Sequence, residues 1–134
     1  MARKFSAAVL NAMLDTYETQ IGTAPTLEIR TGAAPANAAA ADTGTVLATI
    51  TLPSDWMSAA SGAVKSLIGT WQDASADATG TAGHFRLKQG GTCHDQGSIT
   101  ATSGGGDMEV DNTSLAAGQQ FTVTSWALNL AAYL

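Results

Sequence analysis

The apolar residues of this chain change their period at Gly22. Before it they recur at four-residue steps, at Phe5, Val9, Met13, Tyr17 and Ile21, and Leu10 and Leu14 widen the stripe. That spacing predicts one amphipathic helix, with Ser6 as its N-cap and Gly22 as its stop. After Gly22 the period is two. Leu27-Glu28-Ile29-Arg30-Thr31, then Val46-Leu47-Ala48-Thr49-Ile50-Thr51-Leu52, then His84-Phe85-Arg86-Leu87-Lys88 alternate apolar and polar residues, as half-buried strands do. With a single helix the chain cannot build the βαβ rhythm of a parallel sheet. The expected fold is therefore all-β: an antiparallel β-sandwich, jelly-roll-like, preceded by an N-terminal amphipathic α-helix.

Punctuation between the strands supports that reading. Pro53 ends the strand over 46–52, and 64–71 reads as another strand broken or bulged at Gly69. Gly90-Gly91 is a hairpin turn signal, with 92–95 as the return and 97–102 continuing or following it. Met108-Glu109-Val110 is a short strand, and 120–130 reads as one long strand. Residues 36–44 and 73–83 lack bulky side chains and read as loops.

At 134 residues the chain has the length of one domain. Residues 1–22 would be an arm and helix, and 23–134 the sandwich. The 45% of hydrophobic residues is enough for a core, whereas charged residues are only 13%, against about 25% in an average domain. Much of the surface must then be small and neutral, as in assembly subunits and adhesive modules. Six Lys and Arg stand against eleven Asp and Glu, for a net charge of −5. The only basic run is Arg3-Lys4, which argues against direct nucleic-acid binding and against a polybasic membrane contact. Cys93 is the single cysteine, so the fold holds no internal disulfide. No apolar run approaches the roughly 20 residues of a membrane-spanning helix. The start of the chain, interrupted by Asn11 and Asp15, does not read as a signal peptide.

Chemistry-bearing motifs are sparse. Neither a G-x-S-x-G elbow nor an H-E-x-x-H pair is present, and His84 and His94 are the only histidines. The expectation is a non-enzyme without cofactor or metal. Cys93-His94-Asp95 holds ligand-type residues, but neighbours on a strand point to opposite faces and a structural zinc site needs four ligands. Asp107, Glu109 and Asp111 fall on one face, and with Asn112 they could serve a hard cation; the plainer reading leaves them facing water while Met108 and Val110 face the core. Trp56, in a polar segment after Pro53 and beside Asp55, is an expected interface anchor, although core packing explains a tryptophan equally well. Expected partner contacts are Arg3, Lys4 and Phe5 of the arm, Pro53, Asp55, Trp56 and Met57, and the loop over 36–43.

Four segments together resemble a family of small virion proteins of tailed bacteriophages and prophages. They are Asn11-Ala12-Met13-Leu14-Asp15; Leu27-Glu28-Ile29-Arg30-Thr31-Gly32-Ala33-Ala34-Pro35-Ala36; Thr70-Trp71-Gln72-Asp73 continuing to Ala82; and Asp111-Asn112-Thr113-Ser114 with Gly118-Gln119. The resemblance implies a structural subunit of a phage particle and supplies no functional residues. By analogy with small β-rich proteins that clamp capsid shells, the expected role is a head decoration (cement) protein. It would sit on the outer surface of the head as a homo-oligomer bound to the major capsid protein. A tail-fibre, baseplate or neck module, and a calcium- or carbohydrate-binding sandwich, are the alternatives.

Overall fold

A computed structural model describes residues 2–134; Met1, at the head of the expected arm, lies outside the described residues. The helix α1 (Ala7–Ile21) forms where the four-residue period predicts it. Ser6 caps it, its hydroxyl accepting from the Val9 N–H at 3.3 Å, and Gly22 closes it with φ 97° while its N–H donates to Glu18 O at 2.9 Å. That positive φ suits a residue without Cβ.

Only part of the expected apolar face of α1 is buried. Leu10, Leu14 and Ile21 are buried, whereas Val9 and Met13 are 47% and 54% exposed. The two i, i+4 rows lie side by side on the helix, and long-range contacts choose between them. Asn11 Oδ1 accepts from Ala63 N–H, and Asp15 Oδ1 accepts from Ala60 N–H, both at 2.9 Å. These bonds roll the Leu10–Leu14 row onto the core and turn Val9 and Met13 outward.

Ten strands follow: β1 (Thr26–Thr31), β2 (Val46–Thr51), β3 (Val64–Ser66), β4 (Trp71–Asp73), β5 (Gly80–Gln89), β6 (Thr92–Ala101), β7 (Met108–Val110), β8 (Ser114–Leu115), β9 (Phe121–Val123) and β10 (Ala127–Asn129). The architecture is mainly β, as expected, with a six-stranded sheet in the order β2-β1-β5-β6-β7, to which β8 adds on β5. Two ribbons, β10-β3 and β4-β9, complete it. It is not uniformly antiparallel, because β7 runs parallel to β6.

Each of two expected long strands is divided between the ribbons. Over 120–130, Thr124 and Ser125 are both exposed and the alternation restarts at buried Trp126. The first half, β9, therefore pairs with β4 and the second half, β10, with β3. Over 64–71 the chain breaks at Gly69, and the pieces become β3 and β4. In the main sheet, the β1–β5 register shifts opposite Gly83. A Cβ there would lie 2.2 Å from Gly32 O, so the backbones approach too closely for any side chain.

A row of aromatic rings runs through the core: Tyr17–Trp56–Trp71–Trp126–Phe85, with successive centroids 5.9, 6.1, 5.6 and 5.8 Å apart. Tilted and edge-on pairs at these distances are the favoured aromatic arrangements. All three indole N–H groups are satisfied by backbone carbonyls, Trp56 by Gly22 at 2.9 Å, Trp71 by Ile68 at 3.1 Å and Trp126 by Asp107 at 3.2 Å.

Candidate interaction surfaces

The segment around Trp56 is not an exposed loop carrying an aromatic anchor. Trp56 is 0% exposed and sits in the ring row between Tyr17 and Trp71, and Met57 is also buried and is bridged to Leu67. A large ring beside the helix stop closes the core there, and its N–H finds the Gly22 carbonyl. Asp55 is exposed and Pro53 half-buried. Of the expected contacts in this segment, only these two reach the surface.

The arm is tied to the other end of the chain. The Phe5 N–H donates to Tyr133 O at 2.7 Å, the Lys4 ammonium donates to Ala132 O at 3.0 Å, and the Arg3 guanidinium lies 5.3 Å from the Phe5 ring centroid. Arg3 and Lys4 stay exposed. Tyr133 and Leu134 are 50% and 47% exposed, and with Val9 and Met13 they are the large exposed apolar residues among those described. Tyr133 and Leu134 thus stand next to the arm that carries the two cations, and Val9 and Met13 follow it on the helix.

The helix is held down on its other flank by Lys65. Its ammonium meets Asp15 Oδ1 at 2.9 Å and Glu18 Oε2 at 2.8 Å, and donates to Ser58 O at 2.8 Å. Three acceptors match the three ammonium hydrogens. Burial by itself would lower the Lys65 pKa; the bonds to Glu18 and Asp15 outweigh it and raise the pKa. Nothing local in the sequence marks Lys65, which occupies an apolar-looking strand.

A cleft of about 500 Å³ lies on the opposite flank of α1, lined by Met13, Tyr17, Asp95, Asp107, Trp126 and Leu128 among others. At its wall the Tyr17 hydroxyl donates to Asp95 Oδ2 at 2.7 Å. Burial pushes the Asp95 carboxyl up and the nearby Asp107 charge adds to it, against the lowering by Tyr17 and the Gln96 N–H. The Tyr17 hydroxyl is likewise raised, first by burial and then by Asp95.

The acids after the glycine run act on the backbone. Asp107 Oδ2 accepts from Ser98 N–H at 2.9 Å and from the Ser98 hydroxyl at 3.0 Å, and Glu109 accepts from Ser103 and Gly105 N–H at 3.0 and 3.1 Å. Met108 and Val110 are buried as the alternation predicts. Cys93 Sγ lies 3.2 Å from Asp95 O, and His94 is exposed, so Cys93, His94 and Asp95 do not converge. Among the described residues no three His, Cys, Asp or Glu side chains come together as a metal centre would need.

The loop over 36–43 has a role its alanines do not announce. It lies over the outer face of β1 and β5 and delivers Asp42 to three cations: Arg30 at 3.1 Å, Arg86 at 3.2 Å and Lys88 at 2.6 Å. Glu28 pairs with Arg30 and Lys88, each at 2.9 Å. The Lys88 bond, ahead of the neighbouring charges and against partial burial, holds the Asp42 carboxyl below its usual range. Arg30, Arg86 and Lys88 recur at the polar positions of the alternating strands; the sequence shows them as an outward face, and the loop covers them.

No family model matches the chain, and no curated protein or solved structure matches it. Among the described residues no helix is long and apolar enough to cross a membrane.

Proposed function

We infer that the chain is a structural subunit of a tailed-phage particle, most specifically a head decoration protein that binds the assembled shell and other copies of itself. The observation that carries this reading is the exposure of large apolar residues, Val9 and Met13 on the helix and Tyr133 and Leu134 in the C-terminal segment, the latter held against the arm of Arg3 and Lys4. Apolar groups rimmed by charge are what a docking face needs. The resemblance in four segments of the sequence supports the same class.

Other features are compatible with a binding role rather than a catalytic one. The carboxylates and cations described above are engaged in holding loops and helix in place. A decoration protein gains occupancy from many symmetry-related contacts, so each can be modest. Binding only the assembled shell stabilises that shell by mass action. A net charge of −5 disfavours adhesion to packaged DNA and suits an outer surface.

The test is the copy number of the protein in purified particles, relative to the major capsid protein. A near-stoichiometric count supports the decoration reading. A handful of copies moves the protein to the tail, baseplate or neck. Absence from particles overturns the virion reading.

A further inference from the structure

The cleft beside α1 has an open strand edge along one wall. Trp126, Ala127, Leu128, Asn129 and Leu130 all line it. Side chains of a strand alternate between its faces, so consecutive residues border one cleft along the strand's edge rather than on one face. The pairing agrees. β10 bonds only to β3. The Leu67 N–H donates to Trp126 O at 3.0 Å, the Leu130 N–H donates to Ala63 O at 2.8 Å, and Leu128 lies opposite Lys65 between them. Bonded and unbonded positions alternate along an antiparallel pair, so the N–H and C=O groups of Ala127 and Asn129 point away from β3. Among the described residues nothing bonds to these backbone groups.

An open edge is a template for another strand, and folded chains usually cover theirs. This chain does so at β2, where the outward Thr49 N–H donates to Asp73 Oδ2 at 2.9 Å and Leu47 O accepts from the Asp77 N–H at 2.7 Å. The edge of β10 has no such cover. The rest of the cleft limits what could lie along it. Met13, 54% exposed, and half-buried Leu128 give it apolar walls. Asp95 and Asp107 give it two carboxylates, close enough for the Asp107 charge to act on Asp95. Among the described residues neither is paired with a cation, and no Lys, Arg or His lines the cleft.

We propose that this cleft takes an extended peptide segment of a partner protein. The segment adds to the open edge of β10, sets an apolar side chain against Met13 and Leu128, and turns a lysine or arginine toward Asp95 and Asp107. Main-chain bonds to Ala127 and Asn129 supply the attachment, and the walls beside the edge choose the side chains. The two carboxylates without a cation make the choice of charge: a basic segment is attracted and an acidic one repelled.

The test is a titration of the full chain, read by amide NMR shifts, with the end-blocked peptide Thr-Val-Lys-Val-Thr. Two control peptides accompany it, one N-methylated at its inner residues and one with glutamate in place of lysine. The expected result is saturable shifts at residues 126–130, 95–96 and 107, with each control bound at least about tenfold more weakly. Ala127→Pro removes one outward N–H and leaves the bonds between β10 and β3 in place, since proline is tolerated on a strand edge. It should weaken binding at least about tenfold. Met13→Ser, at an exposed helix position, removes an apolar wall without touching the strand; it should also weaken binding, and it decides the matter if the proline variant does not fold. No saturable shift at 126–130, equal binding of the N-methylated or the glutamate peptide, or undiminished binding to either folded variant overturns the proposal. None of these outcomes depends on whether the protein is found in phage particles.

Discussion

The Tyr17 hydroxyl donates to Asp95 Oδ2 at 2.7 Å, joining the middle of the helix to a strand 78 residues later. The bond is short, but the carboxylate it serves is partly buried and near Asp107, and its pKa is raised from the ordinary 3.8. The folded protein therefore holds the Asp95 proton at pH values where the unfolded chain has released it. As pH rises from 3.8 through the raised value, this group's contribution to stability falls.

Asp95→Asn keeps an acceptor for Tyr17 and removes the charge. The expected outcome at neutral pH is a melting temperature equal to or above the parent's. The advantage shrinks on acidification through the raised Asp95 pKa, as the parent's carboxyl takes up its proton. Asp15 and Asp42 have lowered pKa values, so their stabilisation is lost only at still lower pH and does not blur the comparison. Thermal melts at several pH values decide it; a variant less stable than the parent at neutral pH contradicts the account.

Lys65 is the clamp between helix and β3. Lys65→Met leaves two carboxylates near each other without their cation, but Asp15 and Glu18 retain 48% and 20% side-chain exposure and can rehydrate. The expected loss is about 1–3 kcal/mol rather than the larger figure for a wholly buried pair. Urea unfolding measures it, and a loss below about 0.5 kcal/mol, the scatter of ordinary surface changes, would show that the clamp contributes nothing.

Trp56 belongs to the core. Trp56→Ala is expected to cost about 3–5 kcal/mol, the range for large aromatic truncations. Trp56→Phe keeps the ring contact with Tyr17 and Trp71 but deletes the bond to Gly22 O, at about 1–2 kcal/mol. Near-ultraviolet circular dichroism should change in both, since coupled rings give that signal. If Trp56→Ala melts like the parent, the residue does not pack as described.

Val9 and Met13 make the opposite case. Val9→Ser with Met13→Ser removes exposed apolar surface and should move stability by no more than about 0.5 kcal/mol per site. If this face docks on a lattice, the double variant loses occupancy on particles while remaining folded. Undiminished occupancy moves the docking face elsewhere on the molecule.

The sequence carried the local signals well. Ser6 and Gly22 mark the ends of the helix, Gly90-Gly91 turns the longest hairpin, and the strands over 26–31 and 46–51 follow the two-residue alternation. What it did not carry is set by distant partners. The choice between the Val9–Met13 and Leu10–Leu14 rows depends on Ala60 and Ala63, some fifty residues away. The ribbon break at 124–126 arises because two short partners, β4 and β3, claim the two halves of one apolar run. Polar surroundings made Trp56 look exposed, although Ser54 and Asp55 face solvent while the indole turns inward. The alanine-rich loop hid its one decisive residue, Asp42, whose three cations lie on two other strands.

The bond between Phe5 and Tyr133 brings the two ends of the described chain to one spot on the surface. Peptides fused ahead of Arg3 and behind Leu134 would leave the molecule side by side, so one partner could be displayed on paired stalks. The same closeness makes the chain a candidate for circular permutation: a short linker between the ends, with a new opening at the exposed Gly90-Gly91 turn, leaves the core sheet order intact.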